Sequence, residues 1–330
     1  MTAEARAVRP ALRMRLIPAA RVVSVILLLA AAGRLISDRF LTIPNLLNTV
    51  QAVALLGIVA VGVLFVTYTG NYADLSVPSI MAFSGIVAVS ALRFGIVASL
   101  AAGLCAGLAV GVVNGIAVGY ARANPIIWTL ASGSVVGGAI RWLYSGSQVY
   151  PDSQLPAGRI FLALYRASLF GAIPATLCVL ALLAVAAHLI MTRAAYGREA
   201  KLTGAAYDVA RMSGVNVKLI VALAFFASSF AASIGGILLT SLNKVGAAYI
   251  GGGYDFLAVT AVVLGGVSLA GGRGGVAGVL GGVLIIGVLR NLLMLLGTDT
   301  FVQDIVQGAV FILVVGISSL MLRRAGRDDA

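Results

Sequence analysis

The chain has 330 residues, 61% of them hydrophobic and 10% charged, with a formal net charge of +12. A soluble domain ordinarily carries about a quarter charged residues, so a water-soluble fold is excluded. The 40 glycines lie mostly inside apolar runs, which suits membrane helices whose backbones approach closely. A basic chain invites a nucleic-acid reading, but the 23 Lys and Arg sit between apolar runs rather than on one soluble face. They read as topology signals and contacts to anionic membrane lipid, with no nucleic acid implied. Cys105 and Cys178 lie within apolar segments, where a thiol behaves as a small hydrophobe.

A helical span needs roughly 20 apolar residues. In chain order, ten such spans are expected, with cores near residues 22–36, 46–66, 77–92, 95–119, 126–144, 168–191, 219–240, 256–270, 276–296 and 302–322. Residues 1–33 also have the layout of a signal peptide, but the basic stretch before Val22 serves equally as a cytoplasmic tail, residues 1–21. With that tail inside, Arg122, Arg193, Arg198, Lys201, Arg211, Lys218, Arg273, Arg323, Arg324 and Arg327 join the arginines of the tail. Arg34, Arg39, Arg93, Arg159, Arg166 and Lys244 form the smaller outer set. The asymmetry predicts a single all-α transmembrane domain with both termini cytoplasmic, the second tail being residues 323–330.

Between spans, residues 145–167 read as an ordered outer loop, and residues 192–217 as a cytoplasmic loop holding one amphipathic helix. Thr203 or Gly204 opens that helix, Ala205, Val209 and Met212 share a face, and Gly214 stops it. A faint repeat links Gly111-Val-Val-Asn114 in span four to Gly287-Val-Leu-Arg-Asn291 in span nine. An offset of five spans reverses direction, so the predicted arrangement is an inverted repeat.

No catalytic constellation is present, since His188 is the only histidine. Lys201, Lys218 and Lys244 are followed by Leu, Leu and Val, so none belongs to a P-loop. The strongest polar cluster is Asn71, Asp74 and Ser76, ahead of span three, where Ser76 is placed to cap the helix and Pro78 is tolerated in its first turn. Short spans at matching places in two repeats point to a pathway. Asn71, Asp74, Ser76, Thr260 and Ser268 flank or lie in spans three and eight, and Asn114 and Asn291 join them as amides that either line the route or tie helices together. Arg141 and Arg290 read as snorkelling residues. Asp74, Asp255, Asp299 and Asp304 all fall at span edges, which argues against the rival class, a proton-coupled secondary transporter with acids in mid-span.

Three stretches resemble the permeases of ribose, xylose, arabinose and galactoside ABC importers. They are Asp74-Leu-Ser-Val, the run from Val262 through Ser-Leu-Ala-Gly-Gly-Arg-Gly-Gly275, and Tyr207-Asp-Val-Ala-Arg-Met-Ser-Gly-Val-Asn-Val217. The likeness runs from about Pro44 to Arg323. Branched-chain amino-acid permeases are more distantly similar and lack the Ser-Leu-Ala-Gly-Gly run in this form. The resemblance implies a bacterial inner-membrane importer subunit that is not itself an enzyme. It also implies a second permease copy or paralogue, ABC ATPase subunits that hold the ATP and Mg, and a periplasmic sugar-binding protein. The docking segment of such importers matches Asp208, Val209, Ala210, Arg211, Met212 and Gly214, with Gly204 at its opening. Where the family has Gly-Ile-Asp-Leu-Ser-Val-Gly, this chain has Tyr72-Ala-Asp-Leu-Ser-Val-Pro78, which leaves the exact sugar open and leaves room for a heterodimer with a second permease; the alternative solute is a nucleoside or a branched-chain amino acid.

Overall fold

A computed structural model describes residues 23–169, 171 and 173–328, with side chains to Gly316; the tail of residues 1–21 lies outside them. The helices are α1 (Val23–Ile36), α2 (Ile43–Tyr68), α3 (Val77–Ser90), α4 (Ile96–Gly115), α5 (Pro125–Leu143), α6 (Pro156–Ala163) and α7 (Ala175–Arg193). After these come α8 (Ala195–Ala205), α9 (Tyr207–Met212), α10 (Val217–Asn243), α11 (Tyr254–Leu264), α12 (Val276–Leu295) and α13 (Thr300–Asp328). Apolar helices stand at all ten places where spans are expected. Six of them are long and apolar enough to cross a membrane, and α1, α3, α11 and the first part of α13 are shorter.

Helix α2 is the centre of the bundle. Its run from Val53 to Tyr68 is buried on every side, as an all-round apolar sequence requires. At 26 residues it is about 39 Å long, more than the roughly 30 Å hydrocarbon layer. Small residues set its closest crossing, where a Cβ on Gly62 would stand 2.5 Å from the Ala231 Cβ of α10.

On the other side of α10 lies α4, whose Gly103, Gly107, Gly111, Gly115 and Gly119 recur every fourth residue. A Cβ on Gly119 would stand 2.5 Å from the Lys218 carbonyl oxygen and one on Gly115 2.8 Å from that of Ala222. On Gly107 and Gly111 it would overlap Ser233 and Ser229. This stripe lets the two backbones run nearly in contact. The α4 helix ends in a π-helical turn, Ile116–Tyr120, closed by Ala121 N–H donating to the Ile116 carbonyl at 3.1 Å.

Packing partners repeat with an offset of five spans. Helix α10 packs on α3 and α4, as α2 packs on α11 and α12; α3 meets α4 and α5, as α11 meets α12 and α13. Each central helix thus serves the other half's set, and α2 and α10 also pack on each other.

Three expectations need correction. Span eight is expected over residues 256–270, but α11 ends at Leu264 and residues 265–275 form a glycine loop with positive φ at Gly266, Gly271, Gly272 and Gly274. The 11 residues of α11 and 14 of α3 give about 17 and 21 Å, too short to cross alone. Span six is expected from residue 168, but a two-residue strand pair, Ser168–Leu169 with Ile173–Pro174, comes first. Pro174 then precedes the helix at Ala175. The loop expected on the cytoplasmic side holds two helices, since Thr203 and Gly204 belong to α8, and Ala206, at φ −160°, interrupts the helix before α9. The outer loop is ordered as expected: Val149 pairs with Gly246, and Phe161 of α6 is fully buried.

Candidate functional site

The segment from Gly70 to Ser76 is not helical and carries the polar cluster into the bundle. Asp74 is 0% exposed, so the acid expected at a span edge is enclosed by protein. Its Oδ2 accepts from Ser228 Oγ at 2.9 Å, and Ser228 is eleven residues beyond the start of α10, about 17 Å along that helix. Its Oδ1 accepts from the Ser76 N–H at 3.1 Å and from the Ser76 hydroxyl. Ser76 makes no side-chain cap of its own, so the expected cap is corrected, and the acid two residues earlier satisfies the helix start. Pro78 sits in the first turn, where its missing N–H costs nothing.

The network continues outward. Asn114 Nδ2 of α4 donates to Ser76 Oγ at 2.8 Å, and Asn114 Oδ1 accepts from Trp128 Nε1 of α5 at 3.1 Å. Every donor from Trp128 through Asn114 and Ser76 points one way, toward the carboxylate, an arrangement that an acceptor-only group completes. The backbone of the segment is tied to α5 as well: Leu75 N–H donates to Thr129 Oγ1 at 3.1 Å, and Ser79 Oγ donates to the Gly133 carbonyl at 2.8 Å. Four helices therefore meet on one buried acid. Tyr72, where the resemblance has glycine, holds φ +57°, a left-handed conformation that side chains resist.

Beside this network, three glycine backbones meet. Gly272 N–H donates to the Tyr68 carbonyl at 2.9 Å. A Cβ on Gly204 would overlap that same carbonyl and stand 2.6 Å from the Gly272 nitrogen; one on Gly271 would stand 2.7 Å from Gly70 N and 2.8 Å from Gly204 Cα. So Gly204 does not face outward with the docking segment; it locks α8 onto the link before α3 and the loop after α11. Next to this junction opens a pocket of about 460 Å³, lined by Thr69, Asn71, Arg122, Thr203, Gly204 and Tyr207, among others. Arg122 lies over the Tyr207 ring at 6.0 Å.

On α9 only Ala210 is buried; Tyr207, Val209 and Met212 are exposed, at 39%, 47% and 80%, beside exposed Asp208 and Arg211. The helix is stopped as expected at Gly214, φ +80°, with Val215 N–H on the Ala210 carbonyl and Gly214 N–H on that of Arg211.

The expected pathway residues do not gather in one place. Asp74, Ser76 and Asn114 form the buried network, and Asn71 lines the pocket beside the glycine junction. Ser268 holds a turn of the glycine loop, its Oγ accepting from Ala270 N–H at 3.2 Å. Thr260 donates to the Phe256 carbonyl of its own helix at 2.6 Å. Asn291 exchanges two 2.9 Å hydrogen bonds with Asn45 of α2, so its amide ties helices together. Ser228 and Trp128 were not anticipated; a serine and a tryptophan inside apolar runs carry no sequence signal without the fold.

Residues 45–315 match the family model described as branched-chain amino acid transport system / permease component. The ribose import permease protein of Bacillus subtilis is 34% identical over 85% of this chain and 86% of its own. The L-arabinose transport system permease protein of Escherichia coli is 32% identical over 89% and 88%, and the ribose import permease protein of that organism 32% over 88% and 90%. No solved structure matches the chain. With residues 45–315 matched by that model and a relative 34% identical over 85% of its length, the chain belongs to the branched-chain amino acid transport system / permease component family.

Proposed function

We propose that this chain is the transmembrane permease subunit of an ATP-binding-cassette importer for a monosaccharide, crossing a bacterial inner membrane ten times with both termini inside, the short α3 and α11 being extended across it by the non-helical segments beside them. A periplasmic binding protein delivers the solute, a second permease copy or paralogue completes the route, and partner ATPase subunits hold ATP and Mg. The observation that carries this reading is the pair α8–α9. The exposed face of α9, with Val209 and Met212 outward, offers an apolar surface to an ATPase cleft. Gly204 joins α8 directly to the link that leads into Asp74. Names of the relatives, which import ribose and arabinose, support a sugar as solute. The offset-five packing supports an inverted repeat, with Asn71, Asp74, Ser76, Asn114, Thr260, Ser268 and Asn291 near the route or supporting it.

Burial of Asp74 reopens the proton-coupled reading, but its donors are two serine hydroxyls and one backbone N–H. A proton relay needs a chain of titratable groups, and among the described residues no second acid or histidine bonds to Asp74. The test is reconstitution. Liposomes holding this chain alone, under a proton or sodium gradient, are expected to take up no ribose or arabinose; adding the ATPase, the binding protein and internal ATP restores uptake. Robust gradient-driven uptake by the chain alone refutes the reading.

A further inference from the structure

A second polar pocket, of about 390 Å³, lies at the other end of α2. Its lining includes Asn48, Thr49, Tyr165, Tyr254, Arg290 and Gln303. From Thr49 to Thr69, on the rim of the first pocket, is a rise of about 30 Å along α2, the thickness of the hydrocarbon layer. The two pockets therefore stand at opposite mouths of the bundle.

They are also built alike. The first is framed by the end of α2, the start of α10 (Val217 and Val221) and the segment closing α4, which supplies Arg122. The second is framed by the end of α10 (Leu242), the start of α2 and the end of α12, which supplies Arg290. Exchanging α2 with α10, and α4 with α12, converts one into the other, which is the offset of five spans already seen in the helix packing. Each mouth carries one arginine, Arg122 beyond the turn that closes α4 and Arg290 within the last turns of α12.

Snorkelling accounts for a lone arginine near a helix end, but not for the groups around Arg290. Arg290 and Asn48 are exposed at the mouth and Tyr254 is half-buried; among the described residues the guanidinium has no ion-pair partner, and the side chains of Asn48 and Tyr254 make no hydrogen bond. Three unpartnered polar groups thus face one cavity, with the two tyrosine rings beside them and no acid in the lining. Its volume is in the range of small-ligand sites, roughly 300–1,000 Å³. A planar fork of donors takes two adjacent oxygen acceptors at once.

We propose that the Arg290 pocket is the receiving station for the imported solute, and that it holds a small molecule presenting two adjacent oxygens. These are the vicinal diol of a neutral sugar or the carboxylate of a sugar acid. The inference rests on the importer reading above, and names the contacts through which that importer first holds its solute.

Two measurements test it. In proteoliposomes of the whole transporter, with rates normalised to inserted permease, R290Q is expected to lower uptake at subsaturating solute about tenfold or more, the value of a charge-assisted hydrogen bond. D-ribose and D-gluconate separate the sources: if a diol is held, R290K loses as much as R290Q because the fork is gone. If a carboxylate is held, R290K retains gluconate uptake through its charge. Wild-type uptake with R290Q unchanged overturns the station, whereas a wild type that moves neither solute overturns the importer reading and leaves the pocket to the second measurement. There, Asn48→Cys in a background with Cys105 and Cys178 replaced by alanine is labelled by a polar thiol reagent in nanodiscs. Millimolar ribose or gluconate is expected to slow labelling, and R290Q to abolish that protection. Labelling indifferent to both solutes, or slowed only by added anionic lipid, overturns the proposal.

Discussion

Replacing Gly204 by alanine tests the junction between α8 and the two loops. The added carbon would overlap the Tyr68 carbonyl and lie 2.6 Å from the Gly272 nitrogen, where ordinary contact begins near 3.4 Å, so the backbones must separate by at least about 0.8 Å. That separation breaks the 2.9 Å bond from Gly272 N–H to Tyr68. Overpacking of a tight site costs about 1–3 kcal/mol and the lost hydrogen bond about 0.5–1.5 kcal/mol, together about 2–4 kcal/mol. Thermal unfolding of the purified permease in nanodiscs is expected to shift down by roughly 3–6 °C. In the whole transporter, stimulation of ATP hydrolysis by solute-loaded binding protein is expected to fall while the ATPase still co-purifies, because the exposed face of α9 is untouched. A Gly204→Ala protein with wild-type unfolding temperature and full stimulation would refute the claim that α8 acts on the loops through backbone contact.

Asp74→Ala leaves three donors unpaired inside the bundle, each costing about 1–3 kcal/mol, and is expected to lower thermal stability far more than Asp74→Asn, which keeps one acceptor and lets a serine hydroxyl turn to meet its amide; equal stability of the two variants counts against the network. Tyr72→Gly relieves a left-handed residue whose side chain is 51% exposed, so unfolding is expected to rise in temperature by the equivalent of about 1–2 kcal/mol; a fall would show that the tyrosine packs on something that offsets the strain. Gly214→Leu puts a side chain at φ +80° and is expected to unseat the end of α9, lowering ATPase co-purification while membrane insertion persists; unaltered assembly refutes the docking assignment.

Much of the bundle was legible because hydropathy alone marks where apolar helices stand, and each expected span has its helix. Depth was harder to read. The hydropathy run stops after Tyr68 and resumes at Val77, so hydropathy alone places Asp74 at a span edge. Asp74 is enclosed because side chains from three other helices join its network, Ser228 bonding Asp74, Asn114 bonding Ser76 and Trp128 bonding Asn114, and such partners, up to 154 residues away, leave no local trace. The glycine stripe of α4 is not among the expectations from sequence, since a step of four does not stand out among 40 glycines and its target on α10 leaves no local trace. Gly204 looked like a helix opener because it precedes an amphipathic pattern, while its actual constraint, a carbonyl from α2, comes from tertiary packing. Asn291 was readable as an amide in a span, but only its exchange with Asn45 decides between gluing and lining.

The exchange of central helices between halves bears on how the protein is made. Helix α2 leaves the ribosome early, yet most of its surroundings, α10, α11 and α12, are synthesised more than 140 residues later. Until then its all-apolar surface, including Gly57 and Gly62, faces lipid or insertion machinery, and its final position has no walls. The first half of the chain therefore has no finished structure to reach by itself, and the two halves mature together once α10 has crossed between α2 and α4. A ribosome stalled after α7 would be expected to yield an α2 that cross-links to lipid along its whole length, whereas release of the complete chain would silence the same positions.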